Sequence, residues 1–285
     1  MKVKKLLSLT TLISPLVTIS CINTSNSEKL AHLIDKQYDY YPNKVSTKEE
    51  KTQEIIEKVT KLVFGTNAVE RTTFLNLQNS AQHDEYMKAE LNKFKMKYTT
   101  AKRRISKEDL EAYSNLISKN WLWVFKHIGK FSLSFYEWLL YPDKGKGGKH
   151  SPEYIEYIND LDYPDVSLSS NYGKIFATNI FDEVVEGEES NELGDVTILY
   201  IRKANNVFRL RIDHVTNELK MNAYVWGFPR KATSSNISLR VINNIAHAAL
   251  VHGFNFGFKE FEDAYINKVR YGAPAKLLLL WNGEK

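Results

Sequence analysis

The sequence predicts an α+β fold, in which an N-terminal helical half is followed by a small antiparallel sheet with a packed C-terminal helix. Three observations predict it. Apolar residues recur at helical spacing from residue 46 onward, and they alternate with polar residues from residue 196. A helical period then returns before a last apolar run at residues 275–281. Helices grouped before the strands, rather than alternating with them, indicate α+β rather than α/β.

The first 21 residues have the pattern of a bacterial lipoprotein signal. A start with three lysines (residues 2–5) precedes an apolar stretch (residues 6–19), then Ser20 and the only cysteine, Cys21. A spanning helix needs about 20 apolar residues, so this shorter stretch is typical of a signal peptide. The match departs at Thr18, where lipoproteins usually have leucine. An ordinary secretory signal with an incidental Cys21 is the alternative.

The domain prediction follows from this start. Residues 1–20 are expected to be a lipoprotein signal peptide, and residues 21–45 a lipid anchor at Cys21 with its tether. Residues 46–285 are expected to form a single extracellular α+β domain, helical over 46–141 and with sheet plus helix over 172–282. The predicted location is the extracellular face of the cell membrane. Because Cys21 is the only cysteine, disulfides cannot stabilise the domain, and it must bury a sizeable core.

Capping signals and apolar spacing define the helical half. The sequence Ser46-Thr47-Lys48-Glu49 has the spacing of a capping box and predicts a helix that ends at Phe64-Gly65. A second helical region is expected over residues 68–99, and another begins at Ser106. The apolar stripes of the first and last of these helices are Ile55, Ile56, Val59, Leu62 and Val63, and then Leu110, Tyr113 and Leu116.

The segment between Asn120 and Pro142 is exceptionally rich in aromatic residues: Trp121, Trp123, Phe125, Phe131, Phe135, Tyr136, Trp138 and Tyr141. Read as a helix, it is apolar nearly all round, which indicates either a core element or one docked on a partner. Its charged residues argue against a membrane span. The first interpretation is a buried core helix. The second is an exposed platform, on which the candidate ligand-binding residues are Trp121, Trp123, Trp138 and Tyr141.

The second half combines loops, strands and a helix. Pro and Gly residues over 141–148 predict a loop, and the acidic run over 182–195 predicts a solvated loop. Three β-rich runs at 196–202, 208–212 and 219–225 predict an antiparallel meander. A helix is expected over 235–268, and residues 275–281 read as a final buried strand.

Three features together resemble a known family. They are the signal ending in Ser20-Cys21, the aromatic segment from Asn120 to Pro142, and the stretch from Arg270-Tyr271-Gly272 to Leu280. With these features the chain resembles the mycoplasma aromatic cluster surface protein family. The resemblance implies a lipid-anchored surface protein, and it implies no particular activity.

The sequence contains no recognisable catalytic or metal motif. His247 and His252 are five residues apart, a spacing that does not place two ligands on one helical face. Asp213 and His214 are adjacent on a predicted strand and therefore point to opposite faces. We expect no metal, no cofactor and no catalytic residue. The net charge of +5 includes three signal-peptide lysines, which is too mild a balance to predict a nucleic-acid partner.

The sequence is therefore consistent with three functions. The first is a surface lipoprotein that binds a host or extracellular component, either a host protein or a glycan, and contacts the membrane through its N-terminal lipid. The second is a structural subunit of a surface complex, for which an exposed apolar patch is the expected sign. The third is a surface hydrolase or nuclease, which ranks last because no catalytic motif is present.

Overall fold

The computed structural model describes residues 48–99, 105–139, 150–161, 176, 178–191, 193–231, 236–253, 262 and 270–283. Within them the predicted α+β class is confirmed, since helices precede an antiparallel sheet and one helix precedes the last strand. The predictions for residues 1–47, which include Cys21, lie outside the described residues. So do Tyr141 and the predicted loop over 141–148.

Two predicted helix boundaries, the end at Phe64-Gly65 and the start at Ser106, are present in the structure. The described helices are α1 Lys48–Phe64, α2 Ala68–Gln78, α3 Ala81–Thr99, α4 Lys107–Lys119, α5 Trp121–Lys126, α6 Pro152–Asn159 and α7 Leu239–Leu250. Ser106 caps α4, because its hydroxyl accepts a hydrogen bond from the backbone N–H of Asp109 at 3.1 Å. Gly65 follows α1 with a φ of +51°, a conformation that glycine adopts without steric cost. The helical region over 68–99 divides at Asn79-Ser80, where the Asn79 side chain donates to the Leu75 carbonyl.

Seven strands of the described residues form one antiparallel sheet. They are β1 Phe131–Trp138, β2 Glu183–Glu186, β3 Val196–Lys203, β4 Asn206–Asp213, β5 Glu218–Met221, β6 Tyr224–Gly227 and β7 Ala275–Trp281. The order across the sheet is β1-β7-β6-β4-β3-β2, and β5 pairs with β4 beside this path. The predicted meander is present as β3-β4-β5, and its third run divides at Asn222 into β5 and β6.

The sheet is buried on both faces. Leu199 and Ile201 of β3 pack in the cluster that contains α1, α4 and α5, whereas Ile198 and Tyr200 pack in the cluster that contains α7. Adjacent residues of a strand point to opposite faces, so both faces of β3 are covered by helices. This explains why six consecutive residues of β3, Val196 to Ile201, are buried.

The aromatic segment is not one helix. Its helix α5 ends at Lys126, a short 3-10 turn covers Ile128–Lys130, and β1 follows directly. The predicted helical half over 46–141 is therefore wrong from residue 131. The sequence of β1 starts with Phe131-Ser132-Leu133-Ser134-Phe135, whose apolar residues alternate with period two, and β1 pairs with the C-terminal strand β7. That partner is more than a hundred residues away in the chain, and pairing with it fixes the strand.

The acidic run over 182–195 is also more than a solvated loop. It contains β2 and a 3-10 turn over Glu188–Asn191. Glu189 is only 1% exposed, where Arg209 Nη2 donates to it at 2.7 Å and the Tyr200 hydroxyl donates at 2.9 Å. The prediction of a solvated loop is wrong here because Arg209, a partly buried cation on β4 of the sheet, compensates the carboxylate.

Candidate functional site

Hydrogen bonds hold the aromatic helix α5 in the core. The backbone N–H of Trp123 donates to Gln78 Oε1 at 3.1 Å, and Gln78 Nε2 donates to Asn120 Oδ1 at 3.1 Å. The indole Nε1 of Trp123 donates to Asp84 Oδ1 at 3.0 Å. These contacts tie the start of α5 to α2 and α3, so the positions of its tryptophans are determined by long-range partners.

The tryptophans of α5 are buried. Trp121 and Trp123 are 2% and 1% exposed, so neither forms an exposed platform, and that interpretation is corrected for both. Trp138, at the end of β1, is half-buried and packs edge-on against Phe135 at 5.2 Å between ring centroids. The physical reason is that α5 packs between α2 and the sheet, since Trp121 stacks on Phe74 and Phe125 lies edge-on against Phe208 of β4.

Trp121 nevertheless lines a cavity at the molecular surface. The cavity has a volume of about 400 Å³ and lies between α1, α2, α4, the start of α5 and β5. Its apolar lining, which we call the aromatic floor, consists of Phe64, Phe74 and Trp121, flanked by Val63 and Leu219. The cavity thus opens where the helical half meets the turn before β5.

The aromatic floor is the outer end of a chain of rings. Phe64 and Phe74 have centroids 5.1 Å apart, and Phe74 stacks on Trp121 at 5.7 Å with an interplanar angle of 21°. Trp121 meets Phe125 edge-on at 5.7 Å, and Phe125 continues to Phe181 at 4.8 Å. Such offset and edge-on pairs add to the free energy of burial, so the floor is rigidly supported from the core.

The rim of the cavity is polar and carries balanced charge. Its side chains are those of Glu70, Asn115, Lys119, Asn217, Glu218 and Lys220. The hydroxyl of Ser118, which also lines the cavity, is already used: it donates to the Met221 carbonyl and accepts from the Met221 N–H, both at 2.9 Å. The rim therefore carries two carboxylates and two ammonium groups, which surround an apolar floor.

Some polar side chains of the rim already form hydrogen bonds or ion pairs with other protein groups, and others do not. Glu70 accepts from Asn67 Nδ2 at 2.9 Å, and Lys220 lies 3.7 Å from Glu218. In the part of the chain that the structure describes, no group forms a hydrogen bond with the side chains of Asn115, Lys119 and Asn217. Those three side chains are available to a molecule in the cavity.

The histidine pair near the end of α7 differs from its prediction. His247 Nε2 and His252 Nε2 lie 2.9 Å apart, although a spacing of five was expected to separate them. The helix ends at Leu250, so His252 leaves the helical spacing and its ring turns back onto His247. Within the described residues no three His, Cys, Asp or Glu side chains form a group that could hold a metal ion.

Asp213 and His214 make separate contacts. Asp213 Oδ1 accepts from the backbone N–H groups of Val215 and Thr216, each at 3.1 Å, and these bonds lower the pKa of its carboxyl group. His214 Nε2 lies 2.8 Å from Thr197 Oγ1. The two residues thus cap a turn and join two strands.

Sequence reasoning found one residue of the cavity, Trp121, and missed the rest. Phe64 and Phe74 lie on α1 and α2, Asn115 and Lys119 on α4, and Asn217 in the turn before β5. No spacing within a single element brings them together. Only the aromatic excess of the neighbouring segment pointed to this region.

Comparison with known proteins gives the family of the chain. No curated protein and no solved structure matches it. Among the described helices, none combines the length and apolar character that crossing a membrane requires. The family model described as aromatic cluster surface protein matches residues 32–272, a range that includes all the described helices and the cavity. The chain therefore belongs to the aromatic cluster surface protein family.

Proposed function

We propose that this surface protein is a binding protein whose ligand occupies the cavity beside Trp121. The observation that carries the proposal is the cavity itself, with a volume of about 400 Å³, an aromatic floor and a polar rim. Binding pockets for small molecules span about 300–1,000 Å³ and combine apolar walls with a few polar groups. The ligand is a host or extracellular component, or the exposed end of one.

The proposal includes a lipid anchor at Cys21. It is supported by the basic start, the short apolar stretch and the thiol that follows them. Metabolic labelling with a palmitate analogue tests it, because the wild-type chain should be labelled and fractionate with membranes. A Cys21→Ser chain should lose the label and leave the membrane fraction. Equal labelling of both chains would contradict the anchor.

The binding proposal is tested on full-length protein with one variant in the floor and one matched variant outside it. Phe74→Leu removes a ring from the floor but keeps an apolar side chain, whereas Tyr86→Leu removes a ring on α3 that is 50% exposed. Saturation-transfer NMR against the low-molecular-mass fraction of host serum detects bound components. Signals lost in Phe74→Leu and kept in Tyr86→Leu support the cavity, and signals equal in all three proteins contradict it.

A structural role in a surface complex is the second candidate. It is favoured by large apolar side chains that α2 and α3 leave exposed, namely Val69 at 79%, Leu77 at 54% and Met96 at 60%. Light scattering of the purified chain tests it. A stable assembly that Leu77→Glu dissociates supports this role, and a monomer at all concentrations opposes self-assembly.

We propose binding rather than catalysis, and a surface hydrolase or nuclease remains the third candidate. Assays of nucleic-acid and peptide turnover by the purified chain test this order. Turnover abolished by a substitution at one ionisable residue would reverse it.

A further inference from the structure

We propose that the ligand of the cavity is a neutral saccharide ring, an inference that rests on the binding function proposed above. A sugar ring has an apolar C–H face and a circumference of hydroxyl groups. The cavity presents the complementary arrangement, with the aromatic floor below and amide, carboxylate and ammonium groups around it.

The charge of the rim favours a ligand with no net charge. Glu70 and Glu218 balance Lys119 and Lys220, so the lining as a whole attracts neither anions nor cations over other solutes. Sites for phosphate or nucleotide groups, in contrast, gather cations around the anion. Balanced charge therefore argues against both an anionic and a cationic ligand.

The uncommitted rim groups favour hydroxyls. Two of the three available side chains, Asn115 and Asn217, are carboxamides, each of which both donates and accepts hydrogen bonds. A hydroxyl likewise donates and accepts, so neighbouring hydroxyls of a sugar match a carboxamide at both of its ends. The third group, Lys119, donates to a hydroxyl oxygen but repels a cationic ligand.

The geometry of the floor argues against an aromatic cage for a quaternary ammonium. Such a cage needs several ring faces directed at one point. Here Phe74 and Trp121 are nearly parallel, at 21°, so their faces are not directed at one common point. Phe74 is the one half-buried ring of the floor, because Phe64 and Trp121 are 7% and 2% exposed. A single accessible ring suits one flat apolar face such as that of a sugar.

The test measures binding of defined probes to the full-length protein by saturation-transfer NMR and calorimetry. Neutral probes are glucose, galactose, N-acetylglucosamine and lactose, the anionic sugar probe is sialic acid, and the probe with a quaternary ammonium is phosphocholine. At least one neutral sugar is expected to bind with a Kd of about 1 mM or tighter. Its affinity should fall at least about tenfold in Phe74→Leu and stay unchanged in Tyr86→Leu.

Two rim variants separate hydroxyl recognition from charge recognition. Asn217 has a φ of +54°, so Asn217→Gly removes the amide and keeps a backbone conformation that glycine adopts readily. This variant should weaken the sugar by about threefold or more, whereas it should not affect a ligand held by charge. Lys119→Gln should change sugar affinity by less than about threefold, but it should weaken an anion held by that lysine at least tenfold.

The outcomes distinguish this inference from the proposed function. If sialic acid or phosphocholine binds in a manner that Phe74→Leu abolishes, and no neutral sugar does, the inference of a neutral saccharide is overturned and the binding function stands. If no neutral sugar binds with a Kd of about 1 mM or tighter, the inference of a neutral saccharide is likewise overturned. The binding function is then decided by the serum-fraction experiment alone.

Discussion

Gln78 and Trp123 are joined by a buried hydrogen bond, in which the backbone N–H of Trp123 donates to Gln78 Oε1 at 3.1 Å. Gln78 is 3% exposed, and its Nε2 also donates to Asn120 Oδ1. One side chain at the end of α2 thus satisfies polar groups at the start of α5. The aromatic floor depends on this junction, because it joins the helix that carries Phe74 to the helix that begins with Trp121.

Replacing Gln78 should destabilise the protein. Gln78→Leu preserves volume but leaves the backbone N–H of Trp123 and the side-chain Oδ1 of Asn120 without Gln78 as their partner, which should lower the free energy of unfolding by about 2–4 kcal/mol. Urea unfolding followed by tryptophan fluorescence measures it. Gln53→Leu, at an exposed position of α1, is the control and should change stability by less than about 0.5 kcal/mol. Equal effects of the two substitutions would contradict the role of the junction.

His83 should make stability depend on pH. Its ring is 8% exposed, and burial lowers its pKa although Asn120 and Asp84 act in the opposite direction. Because the folded pKa lies below the unfolded one, the neutral ring is favoured in the native state. Stability is therefore highest above the unfolded pKa of about 6.5 and falls as the pH drops below it. Gln78 Nε2 lies 3.3 Å from His83 Nε2, a nitrogen that accepts only while unprotonated.

The comparison of wild type with His83→Gln isolates this contribution. Urea unfolding at neutral pH and near pH 5 should show a smaller loss of stability on acidification in His83→Gln than in wild type. His214, which is exposed, gives the control substitution His214→Gln. An identical pH dependence in wild type and His83→Gln would overturn the assignment.

The ion pair between the buried Glu189 and the partly exposed Arg209 should be sensitive to the loss of either partner. Glu189→Gln leaves Arg209 without its charge partner, and the free energy of unfolding should fall by about 1.5–3 kcal/mol, since the guanidinium keeps partial access to water. The exposed pair Lys58–Glu186, separated by 3.6 Å, is the control, and Glu186→Gln should change stability by less than about 1 kcal/mol. A double-mutant cycle with Arg209→Met should give a coupling energy well above zero, and additive effects would contradict the pair.

Truncation of Trp121 should lower the stability of the folded protein. The ring is 2% exposed and contacts both Phe74 and Phe125, so Trp121→Ala should lower the free energy of unfolding by about 3–5 kcal/mol. Trp138→Ala, at a half-buried ring, should cost less. Calorimetric unfolding of both variants measures the difference. If Trp121→Ala unfolds like wild type, the ring is less well packed than its contacts indicate.

Local sequence signals predicted much of the fold. The capping hydroxyl of Ser106 and the glycine after α1 act on backbone groups within a few residues, so their effect is visible in the sequence itself. The alternation of Phe208, Leu210 and Ile212 likewise reports the two faces of β4. These elements are determined by neighbours in the chain.

Other elements were decided by distant partners. The segment from Phe131 became a strand because it pairs with β7, and Glu189 became buried because Arg209 lies across from it. The cavity needs four helices and a turn to meet at one place. The periodicity of residues within a single helix or strand gives no information about such long-range packing.

The sequence by itself determined the α+β class, most helix and strand positions, and the region where aromatic residues concentrate. Only the tertiary structure decided that Trp121 and Trp123 are buried and that Phe64, Phe74 and Trp121 share one cavity. The physical reason is that secondary structure depends on hydrogen bonds and periodicity within short stretches. Burial and cavity shape depend on which faces pack together, and that is settled by the free energy of the whole fold.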